Sequence, residues 1–128
     1  MPRNQPALDF LSSRRSVPPK LLAAPAPDRA ALTELLTVAA RSPDHGMLVP
    51  WRFVVLEQAA LRRVAAEIKR IGGDLGRDPA MLEKAAAVYE SSPLAVAVVL
   101  SPKSTEKIPM EEQVLSAGAV CLALVNVA

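Results

Sequence analysis

Aromatic side chains are almost missing from this chain: one tryptophan, one tyrosine and two phenylalanines among 128 residues. That scarcity removes the stacking platforms that hold single-stranded nucleic acids. A net charge of +2 supplies no strong basic field for a duplex. No nucleic-acid partner is expected. With a single histidine, His45, and a single cysteine, Cys121, there is no ligand set for a metal centre and no internal disulfide. The lone thiol fits a reducing, cytoplasmic setting. No Gly-x-Ser-x-Gly turn occurs, so a hydrolase-type nucleophile elbow is excluded. The opening MPRNQPALDF lacks an apolar run, and no signal peptide is expected.

What remains is aliphatic. Hydrophobic residues make up 51% of the chain, so Ala, Val and Leu must build the core. The length suits one domain over residues 1–128, and a domain of this size buries roughly two-thirds of its unfolded surface. The final fifteen residues, VLSAGAVCLALVNVA, carry no charge. They fall short of the roughly 18–20 needed to cross a bilayer, so a buried helix is expected and no membrane partner. The pattern stops without a polar tail or glycine signal, as if the chain were cut there.

Periodicity predicts the order α-α-β-α-α-β-α. A first helix over residues 6–15 has Leu8 and Leu11 as its stripe and two arginines in its last turn. Four prolines make 17–27 an extended connector. Asp28 caps a helix over 29–41, with Leu32, Leu35, Leu36 and Ala39 on one face. WRFVVLE reads as a strand, and a helix near 58–70 buries Leu61, Val64, Ala65 and Ile68. GGDLGRDP reads as a loop, and residues 79–91 as an amphipathic helix. PLAVAVVLS, 93–101, is apolar on successive positions, as in a central strand covered on both faces. A last helix runs from near Met110. Two strands are too few for a stable sheet, so further strands are expected from elsewhere.

Three stretches have chemical content. SSRRSVPP, 12–19, is either an anion grip, with guanidinium forks and a hydroxyl matched to phosphate oxygens, or a solvated helix end. The loop RSPDHGMLVPW, 41–51, is either a surface loop anchored by Trp51 or a polar wall for a flat, electron-poor ligand, with Arg41 and His45 as donors. In MEEQVLSAGAVCLAL, 110–124, small residues allow close backbone approach. Glu111 and Glu112 point to different sides of a helix and read as solvated, first-turn acids.

Taken in order, LDFLSSRRS, VAARSPDHGMLVPWRFVVLE, SSPLAVAVVL and MEEQVLSAGAVCLAL resemble the FMN-dependent nitroreductase family, especially its short bacterial NAD(P)H nitroreductases. The resemblance runs from about residue 7 to the end. It implies an α+β fold of helices around a central, mostly antiparallel sheet. It also implies an obligate homodimer, with an FMN at the interface touched by both chains. Arg14, Arg15 and Ser16 match the positions that hold the phosphate and ribityl end from one chain. Arg41 and His45 match those reaching the same FMN from the other chain. The helix 110–128 matches the interface helix.

The implied activity is oxidoreduction, with hydride passing from NAD(P)H by way of the flavin to a nitroaromatic, quinone or similar small-molecule acceptor. Arg14 or Arg41 would offset charge on the reduced ring. No side chain is required as a catalytic nucleophile. Two departures stand out: Val49 replaces the glutamine usual before Pro-Trp, and the family pattern continues some fifty to sixty residues further. The resemblance thus covers the N-terminal two-thirds of the family length. A flavin-binding or interaction module, or a truncated pseudo-enzyme without turnover, are the alternatives.

Overall fold

The computed structural model describes residues 2–128. Seven main elements follow the expected order: α1 Gln5–Ser13, α2 Arg29–Ala39, β1 Trp51–Glu57, α3 Gln58–Asp74, α4 Pro79–Ser91, β2 Leu94–Leu100 and α5 Met110–Val127. Three of these five α-helices are capped at their starts by side chains suited to it. Asn4 accepts from the Ala7 amide, Asp28 from Ala31, and Asp78 from Ala80 and Met81.

β1 and β2 pair antiparallel, from Trp51 opposite Leu100 to Glu57 opposite Leu94. They form a two-stranded sheet, with no further strand on either outer edge among the described residues. Helices α3 and α5 touch this sheet, and α2 packs on α5. The core is accordingly small-residue and narrow: Ala39, Leu61, Ala65, Ala86 and Val120 are fully buried, with Pro50, Trp51 and Ala117 beside them. Alanines at helix contacts leave little side chain between the backbones, which is how an aliphatic chain closes its core with so few rings. The fold is α+β.

Several expectations need correction. α1 ends at Ser13, so Arg14 and Arg15 follow the helix instead of closing its last turn. Arg14 is already extended, at φ −54°, ψ 136°, while its amide still donates to the Phe10 carbonyl. Leu8 and Leu11 are exposed and α1 buries nothing, because no other helix covers that stripe. The connector 17–27 is interrupted by a short 3-10 turn, Pro19–Leu21. β2 is not covered on both faces; Leu94–Val99 are half-buried throughout, since one strand and parts of two helices are all that touch it.

α3 runs to Asp74, through the glycines assigned to a loop. Packing overrides helix propensity here. Gly72 is buried where a Cβ would collide with the Leu82 side chain of α4, so the glycine lets the two helices meet. The pair is pinned outside by Lys69 Nζ, which donates to Glu83 at 2.7 Å and Glu90 at 3.1 Å. Those hydrogen bonds raise the Lys69 ammonium above the ordinary lysine range, and Arg70 holds the Glu67 carboxyl below its ordinary range by hydrogen bond and charge. The Lys69 contribution is therefore present below the ordinary lysine range and fades as pH rises through the raised value. That of Glu67 is present above the ordinary carboxylate range and fades as pH falls through the depressed one. Glu67 is exposed and Lys69 half-buried with its partners in solvent, so both are screened and packing at Gly72 dominates. Gly72→Val is expected to lower stability by about 1–3 kcal/mol through overpacking. Gly73→Ala, where a Cβ meets nothing within 4 Å, is expected to be neutral or slightly stabilising. Urea unfolding of the two variants checks the contrast.

Candidate functional site

The loop after α2 is built by its own polar side chains. Asp44 Oδ2 accepts from the Val49 amide at 2.6 Å, closing the segment over a 3-10 turn at His45–Met47. Three residues inside it take left-handed backbone: Gly46 at φ 74°, Met47 at 53° and Val49 at 47°. At Gly46 the freedom is needed twice, because a Cβ there would also lie 2.5 Å from Ile108 Cδ1. Buried Pro50 and Trp51 then anchor the loop to the sheet.

The segment 101–109 that faces this loop is tied to α5 by a buried side chain. Gln113 Oε1 accepts from the Lys103 amide at 2.8 Å and its Nε2 donates to the Lys103 carbonyl at 3.1 Å. At the preceding residue of α5, His45 Nδ1 stands 2.7 Å from Glu112 Oε2, with the two side chains 63% and 45% exposed. Glu112 is indeed a first-turn acid of α5, but it is also the one partner of the chain's only histidine among the described residues. Arg41 is exposed, and its guanidinium makes no hydrogen bond or ion pair among the described residues.

A second polar group forms where α1 ends. Arg15 Nη1 turns back to its own helix, donating to the Ser12 carbonyl at 3.2 Å and to that of Arg14 at 2.8 Å. This satisfies carbonyls left open by the helix end. Arg14 is half-buried, Ser16 exposed. A cleft of ≈ 650 Å³ brings Arg14, Arg15 and Ser16 together with Phe10, Val17 and, from the end of α5, Asn126. Asn126 Oδ1 is buried without a hydrogen-bond partner, although the residue contributes to the lining of the cleft. The donor set fits a phosphorylated, amphipathic group such as a flavin mononucleotide: two guanidiniums and a hydroxyl beside apolar walls. By contrast the groove of ≈ 580 Å³ along α3, lined by Leu56, Val64, Ile68 and Ile71, has a single guanidinium, Arg63, and shares its lining with the carboxylate of Glu67.

The structure thus brings Arg14, Arg15 and Ser16 together, and separately places Arg41 on the loop that carries His45. It keeps the two groups apart. His45 is bound to Glu112 near the start of α5, while the Arg14 cleft reaches Asn126 near its end. At 1.5 Å per residue that is a separation of about 20 Å along the helix. Asp44, Gln113 and Asn126 were missed by sequence reasoning. Asn126 had a signal, being one of two polar side chains with Ser116 in the charge-free run.

α5 itself buries only Gln113, Ala117 and Val120, so the expectation of a buried helix fails for this chain. Too few elements surround it. At 18 residues it is long and apolar enough, by length and composition alone, to cross a membrane, although Glu111 and Glu112 occupy its first turn. Met110, Val114, Leu115, Leu122 and Val125 are exposed along one side, with Cys121 among them.

The chain is an α+β fold with a polar loop and an arginine-lined cleft at opposite ends of an apolar helix, and comparison with known proteins identifies the family to which that fold belongs. The Nitroreductase family model matches residues 11–128; the chain belongs to the nitroreductase family. The "Putative NAD(P)H nitroreductase YdjA" of Escherichia coli strain K12 is 34% identical over 118 residues, covering 92% of this chain and 63% of that protein. The "Putative NAD(P)H nitroreductase" of Haemophilus influenzae is 36% identical over 121 residues, covering 92% and 64%. The chain therefore spans a little under two-thirds of the length of these relatives. In fold, the crystal structure of a nitroreductase-like family protein from Bacillus cereus superposes on all of this chain and 66% of its own, with a TM-score of 0.69 at 18% identity.

Val49 marks the loop's weak point. A β-branched residue in the left-handed region costs about 1–2 kcal/mol, and half of Val49 is exposed, so its side chain recovers little of that by packing. Val49→Asn is expected to raise thermal stability by about 1 kcal/mol. Asp44→Ala, which leaves the Val49 amide without its charged acceptor, is expected to lower it by about 1–2 kcal/mol. Calorimetric melts of both variants check the sign of each change.

Proposed function

We propose that this chain is an FMN-dependent oxidoreductase whose site is shared between two copies, and that it acts in the cytoplasm, where Cys121 stays reduced. The observation that carries the reading is the cleft at Arg14, where guanidinium groups and a free hydroxyl converge beside apolar walls. Arg14 would pair with the phosphate, and Ser16 would add a hydroxyl donor. Arg15 would lend its charge while continuing to cap α1. The chemistry such a group supplies when bound is hydride exchange between NAD(P)H and an acceptor such as a nitroaromatic or quinone. No side chain need act as nucleophile.

The second copy follows from α5. Gly118 lies mid-helix, where glycine costs about 1 kcal/mol relative to alanine, yet a Cβ there would meet nothing within 4 Å in this chain. Val114, Leu115, Leu122 and Val125 surround it, all exposed. A twin helix crossing antiparallel at Gly118 would use the close approach and cover these side chains. Glu112 lies six residues before that crossing and Asn126 eight after it. The same pairing would therefore bring His45 of the partner subunit, with its Arg41 loop, to the Arg14 cleft.

Arg14→Ala is expected to weaken FMN binding 10- to 100-fold, the loss of a charge-assisted pair worth about 1.5–3 kcal/mol. Quenching of flavin fluorescence on titration measures this, and unchanged affinity contradicts the phosphate assignment. Gly118→Leu is expected to leave the circular dichroism spectrum of the chain intact and to convert a dimer to a monomer in sedimentation equilibrium. A dimer that survives this change contradicts the crossing point. Oxidation of NADPH by the flavin-loaded protein in the presence of a quinone separates turnover from flavin binding alone.

A further inference from the structure

We propose that Glu112 is a positioning residue that fixes the tautomer of His45, so that the imidazole meets its ligand as a hydrogen-bond acceptor. The inference rests on the flavin reading above and names what His45 contributes to it. An ionised carboxylate can only accept. At 2.7 Å from Glu112 Oε2, His45 Nδ1 must therefore carry the proton. In the neutral ring that leaves Nε2 bare, as a lone pair without a partner among the described residues.

The arrangement is held from both sides. Asp44 closes the loop that carries His45 through the Val49 amide, and Gln113, next to Glu112, is buried and bonded at both ends to Lys103. Gly46, adjacent to His45, is pressed against Ile108 of the same segment. Both partners are thus carried on backbone held in place by neighbouring contacts. A histidine oriented by a carboxylate is the general way a protein selects one ring nitrogen for a ligand.

The consequence is chemical selectivity. A bare Nε2 takes an N–H or O–H donor and repels bare oxygens such as those of a phosphate. On a flavin mononucleotide the donors are the imide N–H of the ring and the hydroxyls of the ribityl chain. His45 therefore serves the ring or the sugar chain, while the phosphate is left to the guanidinium end of the cleft.

Because His45 is the only histidine, one long-range proton–nitrogen correlation spectrum of the full nitrogen-15-labelled chain reads its tautomer without assignment. At a pH where the ring is neutral and with no ligand added, the wild type is expected in the Nδ1–H form. Glu112→Ala, checked for fold by circular dichroism, is expected to move it to the Nε2–H form that free histidine prefers. The same variant is expected to bind FMN about three- to ten-fold more weakly, the loss of one neutral hydrogen bond. An equal loss for lumiflavin, which lacks the ribityl chain, identifies the imide as donor; a loss for FMN alone identifies a hydroxyl. An Nε2–H wild type, an unmoved tautomer in Glu112→Ala, or a moved tautomer with unchanged FMN affinity overturns the proposal. Wild-type protein that takes up no flavin contradicts the flavin reading itself, while the tautomer still decides what Glu112 does.

Discussion

The 18 residues of α5 set the geometry on which everything else depends. One end holds Glu112 and, through it, His45; the other end presents Asn126 to the arginine cleft. About 20 Å of helix keeps these ends apart, and no rearrangement of loops within one chain closes that distance. The same helix leaves its apolar side uncovered, with a glycine at the centre that nothing in the chain requires. Distance and exposure would have a common resolution in the proposed dimer: a second α5 laid antiparallel across the first would join unlike ends and bury the stripe at once. The site would then be a property of the pair.

Around that helix the chain invests its polar side chains in bracing. Asp44 and Gln113 each satisfy backbone groups of loops that would otherwise be free to move, and Arg15 is spent on the end of α1. Arg14, Ser16 and Arg41 make no side-chain hydrogen bond among the described residues, and the outer nitrogen of His45 is likewise unpartnered. Peripheral structure is stabilised differently, by the α3–α4 contact at Gly72 and the Lys69 pins, and its ion pairs carry no functional arrangement.

Local patterning made most of the fold legible. Asp28 announced α2, amphipathic spacing over residues 79–91 announced α4, and the apolar run of residues 93–101 announced a strand. What pattern could not show was contact. Gly72 and Gly73 resembled a loop because their propensity is poor, and only the nearness of Leu82 explains why the helix continues. β2 and α5 were expected to be buried because they are apolar, whereas burial depends on how many neighbours exist to cover them. The candidate site residues, Arg14, Arg15, Ser16, Arg41 and His45, were named through family resemblance. Their supports were not: the pairing of His45 with Glu112 spans 67 positions, a separation at which spacing carries no information.

The central claim, that one cofactor is gripped by two copies, has a direct measurement in mixed dimers. Dimers assembled from one Arg14→Ala chain and one His45→Ala chain, separately tagged and purified, are titrated with FMN. A shared site concentrates both defects in one cleft and leaves the other whole, so one equivalent of FMN per dimer should bind with wild-type affinity. If each site were completed within its own chain, every cleft would carry one defect, and the absence of any wild-type-affinity equivalent would contradict the account.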